Sequence, residues 1–208
     1  MTEFAVTAFV TLFVIVDPVG NVPFFVALTP HATAEERFRI ALRANVVAGL
    51  LLVVFGFAGH WILQGLGIGL PAFRIGGGIL LLLLAIEMVF ARQSGLRSTT
   101  SGEDEEAAHR LDVAVFPLAV PLIAGPGALA SILLLMGDAA GSLVQRGVLV
   151  AVLAAVFVAN FATLVLGTRI LARIGVTGIN VLTRVFGVVL TALAVQFIID
   201  GAKAAFGA

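Results

Sequence analysis

The chain has 208 residues, of which 61% are hydrophobic and 12% charged, and its mean hydropathy is +1.16. That is more apolar surface than a soluble core of this length can hide, so lipid is the expected solvent. The absence of cysteine excludes disulfides, thiolate metal sites and thiol nucleophiles, and a net charge of zero argues against a nucleic-acid partner.

The amino terminus holds Glu3 and no Lys or Arg, unlike a signal peptide, and reads as a retained first span from Phe4 to about Thr29. Within it, DPVGNVP at 17–23 opposes continuous helix through two prolines and a glycine, and a break is expected there. Thr33 and Glu36 fit a capping box, which predicts a second helix starting near residue 34 whose first turns carry Arg37, Arg39 and Arg43 at the membrane surface. Apolar stretches around 46–63, 71–91, 113–136, 147–168 and 178–200 meet or approach the roughly 20 residues needed to cross the hydrocarbon layer. The expected fold is therefore an all-α membrane protein of six transmembrane helices. The segment 92–112, rich in Ser, Gly and charge, has the composition of a linker. It separates a first three-span repeat, 1–91, from a second, 113–208.

Short cytoplasmic loops carry an excess of Lys and Arg. With the amino terminus outside, Arg37, Arg39, Arg43, Arg92, Arg97, Arg110, Arg169 and Arg173 fall inside, against Arg146 and Lys203 outside. Both termini are then periplasmic and the linker cytoplasmic. Arg74 and Arg184 remain, each at the start of a span. Laying one on the other aligns FRIGGGILLLLLA with TRVFGVVLTALAV and Gly77 with Gly187. The break at Pro18 and Gly20 has a counterpart in AGPG, with Pro126 and Gly127, and Asn45 and Asn160 stand at similar distances from these landmarks. Three spans is an odd number, so the second copy inserts upside down relative to the first. Inverted repeats with paired broken helices are the layout of many secondary transporters.

A helix broken at membrane depth exposes backbone groups that need partners from protein, water or ligand. The restarted half-helices offer free N–H groups and partial positive charge, which suit a carboxylate. Gly20, Gly125 and Gly127 would let a small ligand approach the main chain. Asp17 has two readings, as a helix cap followed by Pro18 or as an ionisable group meeting a cation, a proton or a substrate amine. Asn45 and Asn160 are either hydrogen-bonding glue between helices or lining of the site. Arg74 and Arg184 are interfacial residues or, through their repeat relation, a gating or structural pair. His31, His60 and His109 lack metal-site spacing, so neither metal nor cofactor is expected. Phosphate-loop, nucleophile-elbow and HExxH motifs are lacking, and an enzyme is disfavoured.

DPVGNVPFFVALT at 17–29, FRIGGGILLLLLAIEM at 73–88, FPLAVPLIAGPGA at 116–128 and LTRVFGVVLTALAVQFIIDG at 182–201 resemble the MarC family of multi-pass inner-membrane proteins, in order and spacing over nearly the whole chain. The resemblance implies a bacterial inner-membrane location and suggests a homodimer. A SnatA-like branch of that family carries small neutral amino acids such as glycine and alanine on an inverted repeat with broken first and fourth helices. Carried over by motif, this puts the substrate around Asp17, Pro18, Gly20 and Asn21 and around Gly125, Pro126 and Gly127. The expectation is a secondary transporter of small neutral amino acids or similar metabolites, with H+ or Na+ as candidate coupling ions. The alternative is an ion channel or ion-binding membrane protein that moves nothing organic.

Overall fold

The computed structural model describes residues 1–90 and 113–207, and the linker proposed at 92–112 lies outside them. The elements are α1 (Thr2–Val16), α2 (Asn21–Leu28), α3 (Ala34–Gly65), α4 (Leu70–Phe90), α5 (Ala114–Ile123), α6 (Pro126–Asp138), α7 (Leu143–Val165) and α8 (Gly167–Phe206). No strand occurs among the described residues. Five helical segments are long and apolar enough to cross a membrane, and the bent α5–α6 pair makes a sixth. Large apolar side chains such as Leu50, Val54, Trp61 and Val188 point outward, as a lipid solvent permits.

The first break redirects the chain little. Asp17 closes α1 in the left-handed region at φ 48, which Asp tolerates better than most residues, and its N–H donates to the Phe13 carbonyl at 3.0 Å. Its own carbonyl accepts from the Asn21 amide at 3.0 Å, carrying a helix-like bond across the interruption. The segment Thr2–Leu28 consequently runs as one span.

The second break is sharper. Pro117 and Pro121 supply no amide donor and push the residue before each out of helical geometry. Phe116 (φ −130, ψ 129) and Val120 (φ −132, ψ 125) are extended accordingly, both X-Pro bonds are cis, and the remaining turns of α5 are wide. The amides of Leu118 and Ala124 reach back five residues to the carbonyls of Val113 and Ala119. Gly125 is extended, Pro126 opens α6, and the two helices meet at 59°.

The capping box at the start of α3 is complete: Thr33 Oγ1 accepts from the Glu36 amide, and Glu36 Oε2 accepts from the Thr33 amide. At 32 residues α3 is about 48 Å long, well beyond a hydrocarbon core of about 30 Å, so its first turns carry their arginines past the apolar layer. Arg37 also turns back to cap α2, donating to the Thr29 carbonyl. Near its start α8 is kinked at Gly175, whose φ of 70 suits a residue without Cβ.

Helices α4 and α8 run antiparallel in close contact. A Cβ on Gly78 would stand 2.9 Å from the Ala194 carbonyl, one on Gly187 2.9 Å from the Val89 amide, and one on Gly201 2.9 Å from the Pro71 carbonyl. Small residues let helix backbones approach in this way where apolar driving force between helices is weak. On α4 it is Gly78, not Gly77, that meets α8. Gly77 faces α6 instead, toward Ala130 and Leu134. Helix α6 is the core of the molecule, with Ala130 to Met136 buried without interruption between α1, α3 and α4.

Candidate functional site

At the first break the exposed backbone is satisfied by side chains. Asp17 Oδ1 accepts from the Gly20 amide at 3.0 Å, Asn21 Nδ2 donates to the Val16 carbonyl at 2.8 Å, and Thr163 Oγ1 on α7 shares its one proton between the Asn160 carbonyl at 2.8 Å and the Pro18 carbonyl at 3.1 Å. Asn21 continues through a longer 3.5 Å contact to Asn160 Oδ1, Asn160 Nδ2 donates to Asn45 Oδ1 at 2.9 Å, and Asn45 Nδ2 donates to the Ala41 carbonyl at 2.8 Å. Asp17, Asn21 and Asn160 are fully buried. The result is a polar ladder through the apolar interior, joining the α1–α2 break to α3 and α7. One acceptor in it, Asn21 Oδ1, is buried without a hydrogen-bond partner.

The second break borders a small cleft, partly open at the surface, walled by Ile15, Leu80, Leu84, Pro121–Ile123 and Gly125–Ala128. The first N–H groups of a helix have no acceptor within it. At α6 these include the amides of Gly127 and Ala128, on the pocket wall, while Pro126 has none to offer. The pocket is therefore apolar in its side chains and polar at one helix end. Ile15 links the two breaks: it lines the pocket beside Gly127, and the next residue, Val16, binds Asn21.

The structure thus assembles Asp17, Pro18, Gly20, Asn21, Asn45 and Asn160 in one cluster and Gly125, Pro126 and Gly127 in the adjoining pocket. Two expectations need correction. Gly20 and Gly125 do not leave room for a ligand at their own Cα: a Cβ on Gly20 would overlap the Asp17 carboxylate, and one on Gly125 would lie 2.6 Å from the Pro121 carbonyl. A Cβ on Gly127 would meet Leu84 at 3.0 Å and Leu81 at 3.2 Å, so its smallness serves packing against α4. Second, Arg74 and Arg184 are not equivalent. Arg74 is largely buried and ion-paired with Asp138 at the end of α6, whereas Arg184 is exposed on α8. Neither belongs to the cluster at the breaks. Thr163 and Ile15 escaped the sequence reading. Thr163 was legible in one respect, since it lies three residues beyond Asn160 and hence on the same helix face. No group of His, Asp and Glu among the described residues is placed to hold a metal.

A model of the MarC family of integral membrane proteins matches residues 2–206. A UPF0056 membrane protein of Methanocaldococcus jannaschii is 38% identical over 98% of this chain and 98% of its own length. The UPF0056 membrane protein YvbG of Bacillus subtilis is 34% identical, covering 99% of this chain and 97% of its own. The UPF0056 inner membrane protein YhgN of Escherichia coli is 35% identical, with 95% of each chain covered. No solved structure matches. The chain belongs to the MarC family.

Proposed function

We propose that this MarC-family protein is a secondary transporter of small neutral amino acids or similar small metabolites, a carrier and not an enzyme, built as two inverted three-span repeats. The observation that carries the reading is the cleft at the second break, where the α6 amino terminus offers N–H donors to a carboxylate beside an apolar wall. The antiparallel α4–α8 pair and the direct bond between Asn45 and Asn160 support the inverted repeat, because each joins corresponding parts of the two halves. Asn21 Oδ1 at the first break, a buried acceptor without a donor, is the candidate partner for a substrate amine. The resemblance and the distribution of Lys and Arg support an inner-membrane location with both termini periplasmic.

A second reading is favoured by the same Asn21 oxygen, since a small cation would also satisfy it and would make the protein an ion-binding channel. Uptake and counterflow in proteoliposomes separate the two. Glycine, alanine, leucine and glutamate are compared with and without proton and sodium gradients, and glycine or alanine is expected to move. If no small neutral amino acid is bound or moved under any gradient while ion flux is present, the carrier reading fails and the ion reading stands.

A further inference from the structure

The molecule divides into an antiparallel α4–α8 pair and the remaining helices, and α6 faces that pair through α4. The contact has a built-in catch at one end. Gly137 packs on Leu70, so a Cβ there would stand 3.1 Å from it, and one residue further along, Asp138 forms the ion pair with Arg74. The Arg74 side chain is 18% exposed and its Nε is buried without a partner, so the guanidinium is committed to this position, not free at the surface. Asp200 of α8 lies near enough to Asp138 to repel it and is itself bound by Gln196 Nε2 at 2.8 Å. Arg74 thus stands near two carboxylates and pairs with the one on α6.

The corresponding contact at the other face of the molecule is between α8 and α2. It has no such catch, because α2 (NVPFFVAL) carries no charged residue and Arg184 is exposed. The pocket at the second break lies on that side of α6, beyond its amino terminus, next to α5. The molecule is fastened at one end of α6 and has its pocket at the other.

From this the geometry points to the Arg74–Asp138 pair as a latch that holds the periplasmic gate shut, with the α6 half-helix as the gate and the 59° break at Gly125 as its hinge. The inference rests on the transporter reading for its purpose and on the proposed orientation for the word periplasmic. Opening toward that side requires the pair to separate, so the structure is the periplasm-closed state, and weakening the pair shifts the population toward the open one.

Because the chain has no cysteine, the test needs only single introduced ones. Ala130→Cys reports on the gate, since Ala130 is buried and faces Gly77 across the α4–α6 contact. Ala44→Cys, buried on α3 away from this contact, reports on general loosening. Labelling by a membrane-impermeant maleimide is followed from the periplasmic side of right-side-out vesicles. Arg74→Gln and Asp138→Asn are each expected to raise the Ala130→Cys rate by roughly three- to tenfold and leave Ala44→Cys unchanged. The charge exchange Arg74→Asp with Asp138→Arg is expected to bring the rate back toward that of the parent. Equal rates in parent and single variants overturn the latch, as does a parallel rise at both reporters or a failure of the exchange to restore protection. No substrate enters the assay, so a protein that moves no amino acid but shows these rates would retain its latch while losing its assigned cargo.

Discussion

Asn160 is the centre of the polar ladder, and its replacement by Leu has a calculable consequence. Leu has the same branched shape and number of side-chain heavy atoms, so the change removes hydrogen bonding with little change in volume. Lost are the 2.9 Å bond to Asn45 Oδ1 and the weak 3.5 Å contact from Asn21. Asn21 keeps the Val16 carbonyl and Asn45 keeps that of Ala41, so the damage falls on Asn45 Oδ1, left buried and unpaired. Interhelical hydrogen bonds in membrane bundles contribute about 0.6 kcal/mol on average and about 1.7 at most. Orphaning a buried acceptor costs about 1–3 kcal/mol, so Asn160→Leu is expected to destabilise by about 2 kcal/mol. Asn45→Leu, which orphans Asn160 Nδ2, should cost about the same. The double variant leaves neither group behind and should also cost about 2 kcal/mol, giving a coupling energy of roughly 2 kcal/mol. Equilibrium unfolding in mixed micelles measures all three. Additivity within about 0.5 kcal/mol would refute the direct bond and with it the tie between the two halves.

Asp17→Asn keeps an acceptor for the Gly20 amide and tolerates the left-handed backbone, so a capping role predicts a stability change under about 1 kcal/mol and near-normal flux in proteoliposomes. Lost flux in folded protein would reassign Asp17 to ligand or proton binding. Gly20→Ala places a Cβ where the Asp17 carboxylate lies, and it should destabilise by about 1–3 kcal/mol in the same unfolding assay. Adding Asp17→Ala to it should cost less than the separate effects combined, and strict additivity would remove the steric explanation. Reporter fusions in the 66–69 loop and after residue 207 should give periplasmic signals and fusions in the 92–112 linker cytoplasmic ones. A periplasmic signal from the linker would reverse the orientation.

The spans were legible because a hydrocarbon solvent demands long apolar helices, and their punctuation was legible because it is local. Thr33 and Glu36 make their capping box with their own neighbours, and Pro126 opens α6 where AGPG announces a break, whereas the extended residues before Pro117 and Pro121 went unread. The glycines were harder. A glycine announces that something comes close, but what comes is a tertiary matter: the Asp17 carboxylate at Gly20, the Pro121 carbonyl at Gly125 and leucines of α4 at Gly127. The arginines mislead for a related reason. Aligned on each other in sequence, Arg74 and Arg184 have different surroundings, the one paired with Asp138 of α6 and the other exposed on α8.

The residues that hold the halves together follow from the solvent. Between helices already surrounded by lipid, burying more apolar surface brings little advantage, so association relies on close packing and hydrogen bonds. Both are concentrated where the halves meet. Gly78 and Gly187 bring α4 and α8 into backbone contact, and Asn21 and Asn45 of the first half bond Asn160 of the second, while Thr163 reaches the Pro18 carbonyl. The same ladder satisfies the carbonyls that the first break would otherwise leave bare, which makes that break a fixed feature. The second break has no side-chain hydrogen bond among the described residues, and a pocket opens beside it. Helix α6, which walls the pocket, is held by apolar packing against α1, α3 and α4 and by the Arg74–Asp138 pair at its end, so its movement requires that packing to slide as well as the pair to part.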